Sequence, residues 1–282
     1  MNPSAILLGS KPGAVVALDL LLKNGWDVRA VVASNLEPSW LPRPTLYDEA
    51  RRLGIPSVSD QTDLVGTDGV DLVISYMCRV RVSAKTRELG KYAINFHAGP
   101  LPEYAGWAFY SMAILEDSPT YGCTCHIMDD GFDTGAVVKV RHFDVDIKTE
   151  TALSLERKVQ IEMIHLFREI IIGYQTSREL KSKPQDKSKA RYLDRATFDG
   201  LKAIPAEANA ELADRIARAF WNPPYQIAYY QLPSGDRVEV VPELAKQGVA
   251  PHLHSDDLDL LVESLDQTNG GSRLTTSEVD GG

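Results

Sequence analysis

Cysteine is scarce in this sequence. There are three in 282 residues, an odd number that builds no disulfide framework and fits a reducing compartment. Long apolar runs are missing as well. No stretch approaches the roughly 20 apolar residues that a membrane-spanning helix needs, and the N-terminus shows no basic region followed by an apolar core and a cleavage site. Positive charge is short: 30 Lys and Arg stand against 39 Asp and Glu, a formal net charge of -9. A nucleic-acid-binding surface needs a basic footprint. The expectation is a cytoplasmic protein with no membrane and no nucleic acid among its partners. A dinucleotide fingerprint is also missing. Residues 9–14, GSKPGA, do not fit G-x-G-x-x-G, and the second strand ends in Val32-Ala33-Ser34 with no acidic residue to hold a ribose.

What is there is an ordinary globular composition, 44% hydrophobic and 24% charged, compatible with one large domain or one domain with an appendage. Short apolar runs predict strands over residues 5–9, 27–33, 55–58, 70–76 and 92–97. Helical segments are predicted between them over 14–22, 47–53 and 83–89. Strands alternating with helices at this pace predict an α/β fold with a doubly wound, mostly parallel sheet. Ligands in such sheets sit beyond the carboxyl ends of the strands. Further strands are predicted over 123–128 and 137–145. An amphipathic helix over 149–173, capped by Thr149 or Thr151, turns Leu153, Val159, Ile161, Ile164, Leu166, Phe167, Ile170 and Ile171 to the core. Residues 181–191 read as a basic linker. A small C-terminal module over 191–245 is predicted as a helix at 210–220 and a β hairpin of 227–232 and 237–241. A polar, disordered tail is expected over 265–282.

The densest chemistry lies in residues 92–135. Asn95 and His97 share one face of a strand by period-2 alternation. Gly99-Pro100-Leu101-Pro102 ends that strand, and a second strand runs into Asp129-Asp130-Gly131-Phe132-Asp133-Thr134-Gly135. An amide, an imidazole and a carboxylate at strand ends suit moving a proton while a developing oxyanion is held. An imidazole, with an ordinary pKa of about 6.5, can act as a base near neutrality. A zinc site at Cys123-Thr124-Cys125-His126 is not expected. The cysteines face one way and His126 the other, and no second ligand pair is near.

The pattern Asn95-x-His97, Pro100-Leu101-Pro102-x-Tyr104-x-Gly106, Asp133-Thr134-Gly135 resembles the folate-dependent formyltransferases, over roughly the first three-fifths of the chain. The resemblance implies a Rossmann-like catalytic domain over 1–180 and formyl transfer from 10-formyltetrahydrofolate to an amine, with no metal. It implies Asn95 as oxyanion donor and His97 and Asp133 as the proton-handling pair, either of them the base. It places the pterin against two backbone stretches, here Met77, Cys78, Arg79 and Val80, and Met128, Asp129 and Gly131. Relatives often carry a basic residue where this chain has Ala105.

The acceptor side is read from the C-terminal part. The run Arg218 to Tyr225, RAFWNPPY, resembles the nucleotide-linked amino-sugar N-formyltransferases. That likeness implies a homodimer acting on a nucleotide-linked, dTDP-type amino sugar, with Pro100, Leu101, Tyr104, Trp221 and Tyr225 as acceptor contacts. Aromatic rings stiffened by prolines can stack a base or sugar, or simply pack the module onto the main domain. Arg191, Arg195, Arg215 and Arg218 are the cations available for a diphosphate. The alternatives are a methionyl-tRNA or glycinamide-ribonucleotide formyltransferase, and a silent folate or sugar-nucleotide binder. The former tRNA enzymes have a larger, basic C-terminal domain, whereas about 90 residues with an acidic end follow Arg191 here.

Overall fold

Apolar residues alternate between two faces from the first strand onward. In β1, Ser4–Gly9, Ala5 and Leu7 enter one core while Ile6 and Leu8 enter a second, smaller one. A strand buried on both faces must be covered on both. The computed structural model describes residues 2–36, 43–67, 69–106, 109–223, 225 and 227–247. Within these, β1 is followed by α1 (Gly13–Lys23), β2 (Asp27–Val32), α2 (Leu46–Arg52), β3 (Ser57–Val58), β4 (Val70–Tyr76), α3 (Ala84–Arg87) and β5 (Gly90–His97). Then come β6 (Ala105–Gly106), α4 (Phe109–Leu115), β7 (Thr120–Ile127), β8 (Val137–Asp144) and α5 (Ala152–Ser177). The last part holds β9 (Tyr192–Leu193), α6 (Arg195–Gly200), α7 (Ala210–Ala219), β10 (Tyr229–Gln231) and β11 (Arg237–Glu239).

The main sheet has seven strands in the order β3-β2-β1-β4-β5-β7-β8. β3 through β5 are parallel, and β7 and β8 are added antiparallel. The chain winds outward from β1 to β3, then returns past β1 to β4 and β5. This reversal creates a crevice at the carboxyl ends of the central strands. The expected doubly wound, mostly parallel sheet is what forms.

α5 is capped by Thr151, whose side chain accepts the Ser154 N–H while the Ser154 side chain answers the Thr151 N–H. Its buried stripe contains the expected apolar residues except Ile161, which is half-buried. α7 is held to the sheet domain by Arg218. This buried guanidinium donates to the carbonyls of Ile147 and Glu150 and pairs with Asp214.

The expected hairpin forms as β10 and β11, with Tyr229 opposite Glu239. The basic segment before it is tied down at several points. Lys183 pairs with Val137, Gln185 donates to the carbonyls of Asp133 and Gly135, and Tyr192-Leu193 pairs with Ala105-Gly106. Two features escaped the sequence pattern, the short helix α6 and the β6–β9 pairing; two-residue strands and a six-residue helix carry no periodicity. The tail expected over 265–282 lies outside the described residues.

Candidate active site

β4 and β5 end side by side, with Tyr76 opposite Phe96. Asn95 and His97 leave the same face of β5. β7 runs back along β5 and sets His126 directly opposite Asn95. The His126 Nε2 lies 3.1 Å from Asn95 Nδ2. The turn after β7 then folds back over the strand ends. It carries Asp133 Oδ2 to 3.5 Å from His97 Nδ1, and Oδ1 to 3.6 Å from His126 Nε2. Asn95, His97 and Asp133, 38 positions apart at the extremes of the motif, are one cluster in space. His126 joins them, a residue that the sequence pattern marks only as part of a strand. The signal was available: an antiparallel β7 in this register makes His126 the cross-strand neighbour of Asn95.

Asp133 has φ +56°, and Met77, after β4, has φ +48°. Both occupy the left-handed region that non-glycine residues seldom adopt. The Asp133 turn is fixed from two sides. Gly106 N–H donates to Asp133 Oδ2 at 3.0 Å, and Gln185 Nε2 donates to the Asp133 carbonyl at 2.7 Å. Burial by itself pushes the Asp133 carboxyl up. The neighbouring His97, the His126 imidazole and the Gly106 N–H together outweigh it and hold the carboxyl well below the usual carboxylate range. The His97 Nε2 is 2.7 Å from the Tyr104 carbonyl. A carbonyl only accepts, so Nε2 carries a hydrogen. The Nδ1 edge is turned toward Asp133.

The loop after His97 is pinned by β7. Thr124 is fully buried. Its Oγ1 donates to the Gly99 carbonyl at 2.8 Å and accepts the Leu101 N–H at 3.0 Å. The Tyr121 hydroxyl donates to the Ala98 carbonyl at 3.2 Å. Thr124→Val keeps the shape but leaves both backbone groups buried and unpaired. It is expected to destabilise the protein by about 2–6 kcal/mol, at roughly 1–3 kcal/mol per orphaned group. Urea unfolding would measure it, and a loss below about 0.5 kcal/mol would contradict the pinning role.

Two cavities meet at the cluster. The larger, about 660 Å³, opens between the strand ends and the C-terminal module. Asn95, His97 and Asp133 form one wall, aromatic Tyr110, Phe198, Phe220 and Tyr225 another, and Lys11, Arg79, Arg195 and Lys202 bring cations. Burial acts to lower the Lys11 pKa, but Glu156 at 2.7 Å together with the nearby Tyr225 outweighs it and the ammonium ends above its ordinary value. The smaller cavity, about 140 Å³, lies on the other side of Asn95 and Asp133. Cys78, Arg79, Val80, Met128, Asp129 and Gly131 line it, while Met77 lines the larger one. Residues of both stretches expected to hold the pterin thus line one space.

The acceptor residues separate. Tyr225 lines the large cavity, and its hydroxyl accepts from Arg79 Nη2 at 3.4 Å. Pro100 and Leu101 are buried within the loop that Thr124 pins. Tyr104 turns away from the large cavity, packing on Tyr121 and donating its hydroxyl to Glu116 at 3.1 Å. Trp221 is not on the wall either. Its neighbours Phe220 and Asn222 take the cavity side, its carbonyl accepts the Leu153 N–H, and its Nε1 is buried without a partner among the described residues. Of the arginines, Arg195 reaches the cavity. Arg191 pairs with Glu116 and lies over the Tyr104 ring, Arg215 lies 3.6 Å from Asp117, and Arg218 is spent on backbone carbonyls. Lys11, Phe198 and Lys202 were not singled out from the sequence, because nothing local marks them.

Residues 49–171 match the formyl transferase family. The match runs from α2 into α5. The strand ends and turns that gather Asn95, His97, His126 and Asp133 lie inside it. The chain is 26% identical over 200 residues to the methionyl-tRNA formyltransferase of Lachnospira eligens, covering 67% of this chain and 63% of that protein. It is 28% identical over 166 residues to the GDP-perosamine N-formyltransferase of Brucella melitensis biotype 1, covering 57% and 61%. The chain thus spans less than two thirds of these relatives. The crystal structure of the N-formyltransferase from Helicobacter canadensis, in complex with folinic acid and dTDP-3-aminofucose, shares the fold of the domain. It has a TM-score of 0.66 and 22% identity, over 83% of this chain and 85% of that one.

Among the described residues, no group of three His, Cys, Asp or Glu is placed to hold a metal ion. Cys123 and Cys125 point into the core, where burial pushes both thiols up. No helix among the described residues is long and apolar enough to cross a membrane.

Proposed function

We propose that this chain transfers a formyl group from 10-formyltetrahydrofolate to the amine of a nucleotide-linked amino deoxysugar. The observation that carries the reading is the convergence of Asn95, His97 and Asp133 on the larger cavity, with Asn95 and Asp133 lining the smaller one as well. A donor can enter from one side and an acceptor amine from the other. The smaller cavity fits a pterin by its chemistry, because main-chain groups of 78–80 and 128–131 can pair with the edge of a flat heterocycle while Val80 and Met128 cover its faces. The donor supplies the formyl carbon. A C–N bond forms to the acceptor amine, the C–N10 bond breaks, and the proton lost by the amine ends on N10. Asn95 offers an amide N–H to the developing oxyanion. His97, oriented by the Tyr104 carbonyl and the ionised Asp133, holds or passes the proton.

The amino-sugar acceptor is supported by the aromatic and cationic lining of the larger cavity. Phe198, Phe220 and Tyr225 offer faces for a base or sugar, and Lys11, Arg79, Arg195 and Lys202 offer charge for a diphosphate. The GDP-perosamine and dTDP-3-aminofucose named for two similar proteins belong to this chemical class. dTDP is the carrier to test first and GDP the second. We further propose that the protein works as a homodimer.

The test is formyl transfer with 10-formyltetrahydrofolate and amino sugars on dTDP, GDP and UDP, read as N-formyl product by mass spectrometry beside tetrahydrofolate release. Product on one nucleotide sugar is the expected result. Formylation of methionyl-tRNA alone, or no product with any amine, would overturn it. Thermal shifts with each nucleotide should rank the carriers the same way, since a ligand that binds only the native state raises its stability.

A further inference from the structure

His126 is 3% exposed, and no role in the proton chemistry above uses it. Its ring nevertheless has a polar group against each nitrogen. The Nδ1 lies 2.9 Å from the carbonyl oxygen of Ile127. That oxygen only accepts, so Nδ1 carries the hydrogen. In the neutral ring the lone pair then sits on Nε2, and the group facing it at 3.1 Å is the amide nitrogen of Asn95. An amide nitrogen only donates. The result is a one-way chain: Asn95 Nδ2–H to His126 Nε2, and His126 Nδ1–H to the Ile127 carbonyl.

This chain decides which end of the Asn95 carboxamide faces which way. If the amide turned over, its oxygen would face the Nε2 lone pair with no hydrogen between them. With the nitrogen held at the ring, its second N–H is left for the cavities that Asn95 borders on both sides. We propose that His126 is a positioning residue that locks the Asn95 carboxamide with its N–H group, not its oxygen, presented for the reaction. The proposal rests on the formyl-transfer reading for its consequence, but not for its geometry. The Ile127 carbonyl that sets the tautomer is itself fixed, because Ile127 N–H donates to the Ala136 carbonyl at 2.9 Å. The Asp133 Oδ1, 3.6 Å from the same Nε2, sets the competing arrangement: a proton on Nε2 would turn the ring to the carboxylate and release Asn95.

Two measurements test it. The first needs no substrate. Nitrogen NMR of protein with 15N-labelled histidine, with His126 assigned by the signals lost in His126→Gln, is expected to show a protonated Nδ1 and a bare Nε2 at pH 7.5. A ring protonated at Nε2, or at both nitrogens, would overturn the proposal. The second is kinetic. His126→Gln places an acceptor oxygen close to where Nε2 stands and is expected to keep kcat within about threefold, at the scale of a retained hydrogen bond. His126→Leu removes the acceptor and is expected to lower kcat by roughly 10²-fold with little change in KM for the donor, the scale of one lost oxyanion donor. In the double variant with Asn95→Ala, the His126→Leu change should cost nothing further. Additive losses, or a His126→Gln as poor as His126→Leu, would show a merely structural role. If His126→Leu fails to fold, the glutamine variant and the NMR result still decide. If the wild type formylates no amine at all, the formyl-transfer reading fails, while the tautomer stands or falls on the spectrum.

Discussion

Asp133→Asn is expected to lower kcat by roughly 10³–10⁴-fold while leaving the fold intact, the scale seen when the carboxylate that orients a catalytic imidazole becomes an amide. The carboxylate is 3.5 Å from His97 Nδ1 and accepts the Gly106 N–H. Asparagine keeps the size but loses the charge, and one of its two ends is a donor. If that end faces His97 it presents N–H to the nitrogen that must exchange the proton. If it faces Gly106 it opposes a backbone N–H. A steady-state kcat near that of the wild type, with the circular dichroism unchanged, would remove Asp133 from the chemistry.

The same carboxylate gives a signed pH dependence. Its folded-state pKa is depressed below the unfolded value. The stability it contributes is therefore fully present above the usual carboxylate range and is lost as pH falls through the folded-state pKa, which lies below that range. Asp133 stays ionised across the working pH, so an acid limb in the kcat/KM profile above about pH 5 belongs to an imidazole. The stability gap between the wild type and Asp133→Asn should be widest above about pH 4 and narrow steadily as pH falls below it. A gap that stays constant from pH 3 to pH 7 would contradict the depressed pKa.

Gly135→Ala is expected to be the most damaging single methyl group in the site. A Cβ there would lie 1.7 Å from the Ile127 carbonyl oxygen and 2.8 Å from its carbon. The obstacle is backbone and cannot step aside. Moving it breaks the Ile127 N–H to Ala136 bond and the Ile127 carbonyl's hold on His126, and it shifts the turn that carries Asp133. A loss of about 3 kcal/mol or more is expected. That corresponds to a fall in Tm of roughly 6–12 °C for a domain of this size, with activity lost even where the variant is folded. Differential scanning calorimetry beside kinetics at 20 °C would read both, and an unchanged Tm would show that the turn can open without cost.

The sheet was legible in the chain because its evidence is local. Runs such as Ala5 to Gly9 and Val70 to Tyr76 are short, apolar and bounded by turn residues, and they read as buried strands wherever they occur. The carboxyl ends of those strands also follow from winding alone, so the loop after Tyr76 and the side chains of Asn95 and His97 were placed correctly on one side. The long helix and the C-terminal hairpin were legible for the same reason. The folded position of the segment 181–191 was not. Its residues look like linker, and what holds them is distant: Val137, the Asp133 turn, Pro102 and Glu116.

By itself the sequence determined the parallel α/β architecture, the Asn95–His97 face and the acidic turn, because period and turn chemistry act over a few neighbouring residues. Only the tertiary structure decided the rest. It brought Asp133 back 36 residues to His97 through a left-handed backbone, set His126 against Asn95 by strand register, and turned Tyr104 and Trp221 away from the cavity while Tyr225, Lys11 and Lys202 faced it. Those outcomes depend on which strand pairs with which and on which side of a loop finds room to pack, and a pattern of neighbours along the chain does not encode either one.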